Sequence, residues 1–223
     1  MTVPWASVNT AFCRELKALI AKRMPQGVRV AAGPIERHQL CPEEEAMIEQ
    51  AVAKRQAEFS TGRALAHRAL VNLGYPTEAI EIGPLRNPIW PKGTLGSISH
   101  DGGCCVALAG KDTLRGIGLD LMHIPSHAGR MSDLLDMYVA DKDELKRLPD
   151  LPQPLRPEMV LFSLKESIVK ALVGDLDDFV DLRDISLQNP WGKVRGPTGQ
   201  ERHMTLWIDH CGSYLITGAI YAR

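Results

Sequence analysis

Apolar residues recur at helical spacing toward the C-terminal end of a stretch that runs from Phe162 to Leu172. At roughly 100° per residue, Val160, Leu161, Leu164, Ile168, Ala171 and Leu172 form one stripe. Lys165, Glu166, Val169 and Lys170 are expected on the opposite side, as a polar face with two ammonium groups around a carboxylate. Upstream, residues 7–23 alternate apolar and basic positions at the same period until Pro25-Gln26-Gly27 stops them. Pro42-Glu43-Glu44-Glu45 is an acidic helix start, because carboxylates favour the positive end of the helix dipole. The pattern predicts a helix from there to about Leu73, broken once near Phe59 to Gly62 and ended by Gly74-Tyr75-Pro76.

Period-two and β-branched runs predict strands at Val28–Ala32, Ile80–Ile82, Leu95–Ser99, Cys104–Ala109 and Gly116–Leu121. Asp101-Gly102-Gly103 suits a hairpin between the third and fourth of these. Residues 83–93 are too rich in proline and glycine for regular structure. Leu134–Leu148 reads as helix, 149–157 as a proline-punctuated linker, and Ile185–Leu187, Met204–Ile208 and Tyr214–Ala222 as strands. No close internal repeat is visible. This order of elements predicts an α+β fold rather than a doubly wound parallel sheet.

Composition narrows the function classes. At 223 residues, 44% hydrophobic and 24% charged, the chain is built like an ordinary globular protein with room for a sizeable core. A net charge of −1 gives no reason to expect nucleic acid or a membrane surface as partner. The charge is uneven, with 14 Lys+Arg and 11 Asp+Glu in residues 1–116 against 12 and 16 in 117–223. A basic half beside an acidic half suits an anionic ligand together with a cation. Five cysteines without a C-x-x-C pair fit reduced thiols better than a disulfide framework or a zinc site. No apolar core of a secretory signal and no run of ~18 apolar residues is apparent, so the expectation is a cytoplasmic protein.

Three segments carry candidate chemistry. Gly96-Ser97-Ile98-Ser99-His100 invites a hydrolase reading, but neighbours on a strand point to opposite faces. Ser99 and His100 therefore cannot act on each other as nucleophile and base, and no G-x-S-x-G elbow is present. In Gly116-Ile117-Gly118-Leu119-Asp120, a carboxylate interrupts an apolar strand, which is costly unless it is paired or metal-bound. The glycines do not form the G-x-G-x-x-G of a dinucleotide site. Arg55 and Arg63 lie eight apart, about 80° from each other on a continuous helix, close enough to reach one polyanion.

In this order and spacing the segments resemble the 4′-phosphopantetheinyl transferase superfamily, in its monomeric type serving siderophore and other nonribosomal peptide or polyketide pathways. The resemblance spans about residues 55 to 172. It rests on the Arg55 to Arg63 segment, N-P-I-W-P-K-G-T-L-G-S-I-S-H at 87–100, G-I-G-L-D at 116–120 and F-S-L-K-E-S-I-V-K-A at 162–171. It implies a pseudo-dimer of two similar α+β halves with the active site in the cleft between them. Residues 1–115 would mainly bind the coenzyme A nucleotide and phosphates, and 116–223 would hold the metal and phosphate site.

The implied reaction moves the 4′-phosphopantetheine arm of coenzyme A to a serine hydroxyl of an apo acyl or peptidyl carrier protein. It is Mg²⁺-dependent, releases 3′,5′-ADP and is carried out by a cytoplasmic monomer. The resemblance gives Arg55, Arg63, Arg86, Ser99, His100, Lys165 and Lys170 to coenzyme A, Asp120 and Glu166 to the metal, and Glu166, Lys170 and Asp120 to catalysis. Glu144 sits where the family often has a further glutamate. One departure stands out: the usual acid two residues after Asp120 is here Met122, a poor Mg²⁺ ligand. The alternative it opens is a coenzyme-A-binding regulatory relative that has lost transfer.

Overall fold

A computed structural model describes residues 8–127, 129, 133, 137–139 and 141–223. The chain divides into two compact units, Met1–Asp112 and Thr113–Arg223.

The first unit contains α1 (Thr10–Ala21), β1 (Val28–Pro34), α2 (Pro42–Ala46), α3 (Ala53–Val71), β2 (Glu81–Ile82), β3 (Pro88–Ile89), β4 (Thr94–Asp101) and β5 (Cys104–Lys111). Its main sheet is antiparallel in the order β1-β5-β4. The β4–β5 hairpin turns on Gly102 and Gly103, whose φ of 53° and 87° both lie in the left-handed region that a two-residue primed turn requires. Small residues on the inner face of β5 (Cys105, Ala107, Ala109) let α3 pack closely through Leu65, Ala66, Ala69 and Leu70. Cys13, Leu16 and Ile20 are the buried positions of α1, which packs on β1.

The expected break near Phe59–Gly62 is not observed, and α3 runs unbroken through it. The interruption falls between α2 and Val52 instead. Ser60 and Thr61 are fully buried, and their hydroxyls hold the backbone of the preceding loop. Thr61 Oγ1 accepts from Glu36 N (3.0 Å) and donates to Glu36 O (2.7 Å), and Ser60 Oγ accepts from His38 N (3.1 Å). Polar residues that read as helix breakers here fasten a loop to the helix.

The second unit contains β6 (Leu114–His123), α4 (Ile124–His127), a 3₁₀ helix at Lys142–Arg147 and α5 (Pro157–Leu172). These are followed by β7 (Ser186–Gln188), β8 (Lys193–Arg195), β9 (Glu201–His203), β10 (Thr205–Cys211) and β11 (Tyr214–Ala222). The main sheet is antiparallel in the order β10-β11-β6, and β7-β8-β9 forms a second small one. Of the helix predicted over Leu134–Leu148, positions 134–136 lie outside the described residues, and Lys142–Arg147 is 3₁₀ rather than α. Pro157 opens α5, a position where its missing N–H has no helical partner to lose. All six residues of the predicted apolar stripe are buried against the sheet and its surroundings. Among the described residues no helix is long and apolar enough to cross a membrane.

The two units share one topology that the sequence does not display. In each, a strand is followed by a long helix and then a hairpin: β1, α3, β4, β5 in the first and β6, α5, β10, β11 in the second. In each, the last strand of the series is central in an antiparallel three-stranded sheet and the first strand is at an edge.

Candidate active site

In the first unit, Arg55, Arg63, Arg86 and His100 line one cavity of ≈ 290 Å³. Because α3 is continuous, the eight-residue spacing brings Arg55 and Arg63 to the same opening. Arg55 Nη1 lies 3.4 Å from His100 Nε2 on β4. Arg86 is held by its own backbone: Gly83 N donates to Asn87 O (2.7 Å) and Arg86 N to Gly83 O (2.8 Å). The resulting φ of 59° is a left-handed conformation that a non-glycine residue adopts at some cost.

Arg63 is the most constrained of the four. It is 4% exposed, stacks over the Phe59 ring at 4.5 Å and donates from Nη2 to Glu81 O (3.3 Å). Its buried Nε has no hydrogen-bond partner among the described residues, with Glu44 Oε1 at 3.9 Å. Burial, with the neighbouring Arg55 charge adding to it and Glu44 opposing, pulls the guanidinium down to about 10, so it stays charged at neutral pH. Arg63 is thus a buried cation in the cavity wall, with Glu44 as the nearest carboxylate to its Nε.

Glu44 is the countercharge beneath it. Fully buried, it accepts from Ile80 N (3.0 Å) and pairs with His67 Nε2 (2.9 Å). Burial alone would raise its carboxyl, but the His67 and Ile80 hydrogen bonds outweigh this, aided by Arg63, and hold it below its ordinary value. Ser99 is not brought to the cavity. It lies with Ser97 on the buried face of β4, while Ile98 and His100 face the cavity, as strand alternation requires.

In the second unit, the glycines of G-I-G-L-D set the distance between β6 and α5. A Cβ on Gly116 would stand 1.7 Å from Ala171 O, and one on Gly118 would stand 1.8 Å from Ser167 O. The helix backbone thus rests directly on the strand, and short side chains can reach across. Asp120 accepts from Lys170 Nζ at Oδ1 (2.7 Å) and from Ser163 Oγ at Oδ2 (2.8 Å). Lys170 Nζ also donates to Leu119 O (3.1 Å). Glu166, one helical turn before Lys170, has its carboxyl raised, first by burial and then by the Asp120 charge, with Lys170 opposing. Met122 follows Asp120 on the same face and is 2% exposed within the apolar core of this unit.

Lys165 departs from its expected place beside these groups. It is fully buried, and its Nζ donates to Glu144 Oε1 (2.9 Å), Leu182 O (3.2 Å) and Tyr138 O (3.4 Å). The other oxygen of Glu144 accepts from Leu187 N (2.8 Å). The reason is angular: Lys165 lies about 140° round the helix from Lys170, but within about 60° of both Leu161 and Ile168. It belongs to the edge of the apolar stripe, where only a committed partner makes an ammonium tolerable. Among the described residues, no group of three or more His, Cys, Asp or Glu side chains stands close enough to hold a metal ion by itself.

Residues 43–110 match the model of the 4′-phosphopantetheinyl transferase N-terminal domain, and residues 116–217 match that of the 4′-phosphopantetheinyl transferase superfamily. Enterobactin synthase component D of Escherichia coli O157:H7 is 34% identical over 161 residues, which cover 71% of this chain and 73% of that protein. The chain belongs to the 4′-phosphopantetheinyl transferase superfamily. Two further relatives are 4′-phosphopantetheinyl transferase Npt of Nocardia iowensis, 37% identical over 131 residues, and PptT of Mycobacterium tuberculosis, 34% identical over 131. Those alignments cover 58% of this chain and only 57% and 56% of the two relatives.

Each family match falls within one unit, and each contains one of the two clusters described above. Sequence reasoning missed Glu44, read only as a helix-start acid, and Thr217, which lies directly across from Asp120 on β11. The signal for Glu44 was weak, since nothing in a run of three glutamates distinguishes the buried one.

Proposed function

We propose that this chain transfers the 4′-phosphopantetheine arm of coenzyme A to a serine hydroxyl of an apo acyl or peptidyl carrier protein, releasing 3′,5′-ADP. The observation that carries the reading is the charge arrangement of the second unit. Two carboxylates, Asp120 and Glu166, lie close enough for one to raise the other, and the Lys170 ammonium acts on both. Two carboxylates set beside an ammonium suit a divalent cation and its phosphate ligand.

The donors fit Mg²⁺, a hard ion that commonly takes one or two carboxylates with phosphate and water. Asp120 and Glu166 would hold it, and Met122, turned into the apolar core, contributes no ligand. Bound there, the ion stabilises negative charge developing on the pyrophosphate. Lys170 supplies a fixed positive charge for the departing phosphate. Glu166 accepts the serine proton, directly or through water. In the first unit Arg55, Arg63, Arg86 and His100 bind the nucleotide phosphates, since guanidinium forks match phosphate geometry. On this reading Lys165 positions α5 rather than touching phosphate.

The test is mass spectrometry of apo carrier proteins incubated with the protein, coenzyme A and Mg²⁺. A mass gain equal to the phosphopantetheine arm, lost in Asp120→Ala, is expected. Tight coenzyme A binding with no gain on peptidyl, aryl or acyl carriers would instead support the regulatory reading that Met122 raises.

A further inference from the structure

The hydroxyl groups of Ser163, Ser167 and Thr217 form a buried network around Asp120 that no part of the proposed reaction uses. All three residues are 0% exposed, so water does not substitute for any of them. Ser163 Oγ is 2.8 Å from Asp120 Oδ2 and 2.9 Å from Thr217 Oγ1. Thr217 Oγ1 is in turn 2.8 Å from Ser167 Oγ, which also lies 3.1 Å from Thr217 O.

Each hydroxyl has one proton, and a carboxylate can only accept. Ser163 spends its proton on Asp120, so Thr217 must be the donor in its contact with Ser163. Thr217 then has no proton left for Ser167, so the single Ser167 proton is shared between Thr217 Oγ1 and Thr217 O, to which it also donates (3.1 Å). The direction is therefore set over the last two links, Thr217 to Ser163 to Asp120 Oδ2, with the Ser167 proton at the far end divided between two acceptors. A chain with donors aligned toward an anion polarises cooperatively. Its geometry is built into the backbone, since Thr217 is the cross-strand partner of Asp120 and the two serines lie four apart on α5.

We infer that Thr217 is a positioning residue for Asp120, acting through Ser163. With Lys170 on Oδ1 and Ser163 on Oδ2, the plane of the carboxylate is fixed from both sides. Thr217 keeps Ser163 oriented, because without it Ser163 loses the donor to one of its acceptor positions. The consequence is a set orientation of the Asp120 carboxylate. This rests on the proposed metal role of Asp120.

The experiment compares wild type, Thr217→Val and Thr217→Ser. Valine keeps the shape and removes the hydroxyl, and serine restores it. Binding of Mn²⁺ alone is titrated by electron paramagnetic resonance of the free ion, with circular dichroism as a control for folding. Loss of a group behind a metal ligand typically costs 10–100-fold in affinity. We expect Thr217→Val to weaken Mn²⁺ by about 10-fold or more and Thr217→Ser to stay within about two-fold of wild type. In the transfer assay, kcat of Thr217→Val falls while its KM for coenzyme A is unchanged.

A folded Thr217→Val with wild-type Mn²⁺ affinity overturns the inference, as does a wild type that binds no Mn²⁺. Weakened Mn²⁺ in Thr217→Val with no carrier modified by wild type upholds the inference and removes the proposed function. Should Thr217→Val not fold, Ser163→Ala carries the same expectations, because it removes the same link one step closer to Asp120.

Discussion

Replacing Lys165 separates a phosphate-binding lysine from a structural one. Its ammonium and the Glu144 carboxylate are both 0% exposed and 2.9 Å apart, and each has backbone partners as well. Removing one partner of a buried pair typically costs about 3–5 kcal/mol, because the other charge is left without compensation. Lys165→Met should therefore lose about that much, and Glu144→Leu a similar amount plus about 1–3 kcal/mol for the orphaned Leu187 N–H. In the double variant no charge remains, and the orphaned Leu187 N–H and Leu182 C=O are the principal losses, at about 1–3 kcal/mol each. The two single losses should thus exceed the double loss by several kcal/mol, an unusually large coupling for one pair. Urea unfolding followed by fluorescence of Trp191 and Trp207, both in the second unit, measures all three. If Lys165→Met instead unfolds with wild-type stability and mainly raises KM for coenzyme A, the buried-pair account is wrong and Lys165 contacts substrate.

Gly118→Ala would place a Cβ 1.8 Å from Ser167 O, a backbone atom that cannot rotate away, so α5 must lift off β6. Circular dichroism melting should show a loss at or above the usual 1–3 kcal/mol of overpacking, with transfer activity lost alongside. Arg63→Met should raise the coenzyme A dissociation constant more than Arg55→Met does, since Arg63 is buried in the cavity wall and held over Phe59 while Arg55 is exposed and already near Glu58 (3.7 Å); equal effects in calorimetry would contradict this. Glu44, held below its ordinary value of 4.5, contributes stability that is complete above that pH and lost as pH falls through its lowered folded value. Glu44→Gln should flatten the acid side of the stability–pH curve, and an unchanged slope between wild type and variant would show that another carboxylate is responsible. Glu166→Gln is expected to reduce transfer at limiting Mg²⁺ more than any other single conservative change, with near-normal turnover counting against the metal assignment.

What could be read from the chain alone divides along physical lines. The apolar stripe of α5 was legible because a helix that buries one side must repeat every three to four residues, and all six expected positions are buried. The glycine hairpin was legible because few residues tolerate two successive left-handed conformations. Helical spacing put Arg55 and Arg63 together and the family resemblance added Arg86 and His100, and all four line one cavity, although Ser99 beside His100 faces the other way, as alternation demands. Lys165 was misread because charge was taken as a sign of exposure, whereas its angular position next to Leu161 and Ile168 required burial and hence a partner. That partner, Glu144, lies 21 residues away on a 3₁₀ helix, and no local pattern announces it. The short polar strands β8 and β9 escaped for a related reason, since three residues cannot establish a period. The hydroxyl chain to Asp120 escaped most completely. Serine and threonine carry no periodic signal of their own, and their order of donation exists only once β6, β11 and α5 are stacked. The glycines at 116 and 118 were the one trace of it in the sequence, since their lack of side chains is what lets two serines of a helix reach a carboxylate on a strand.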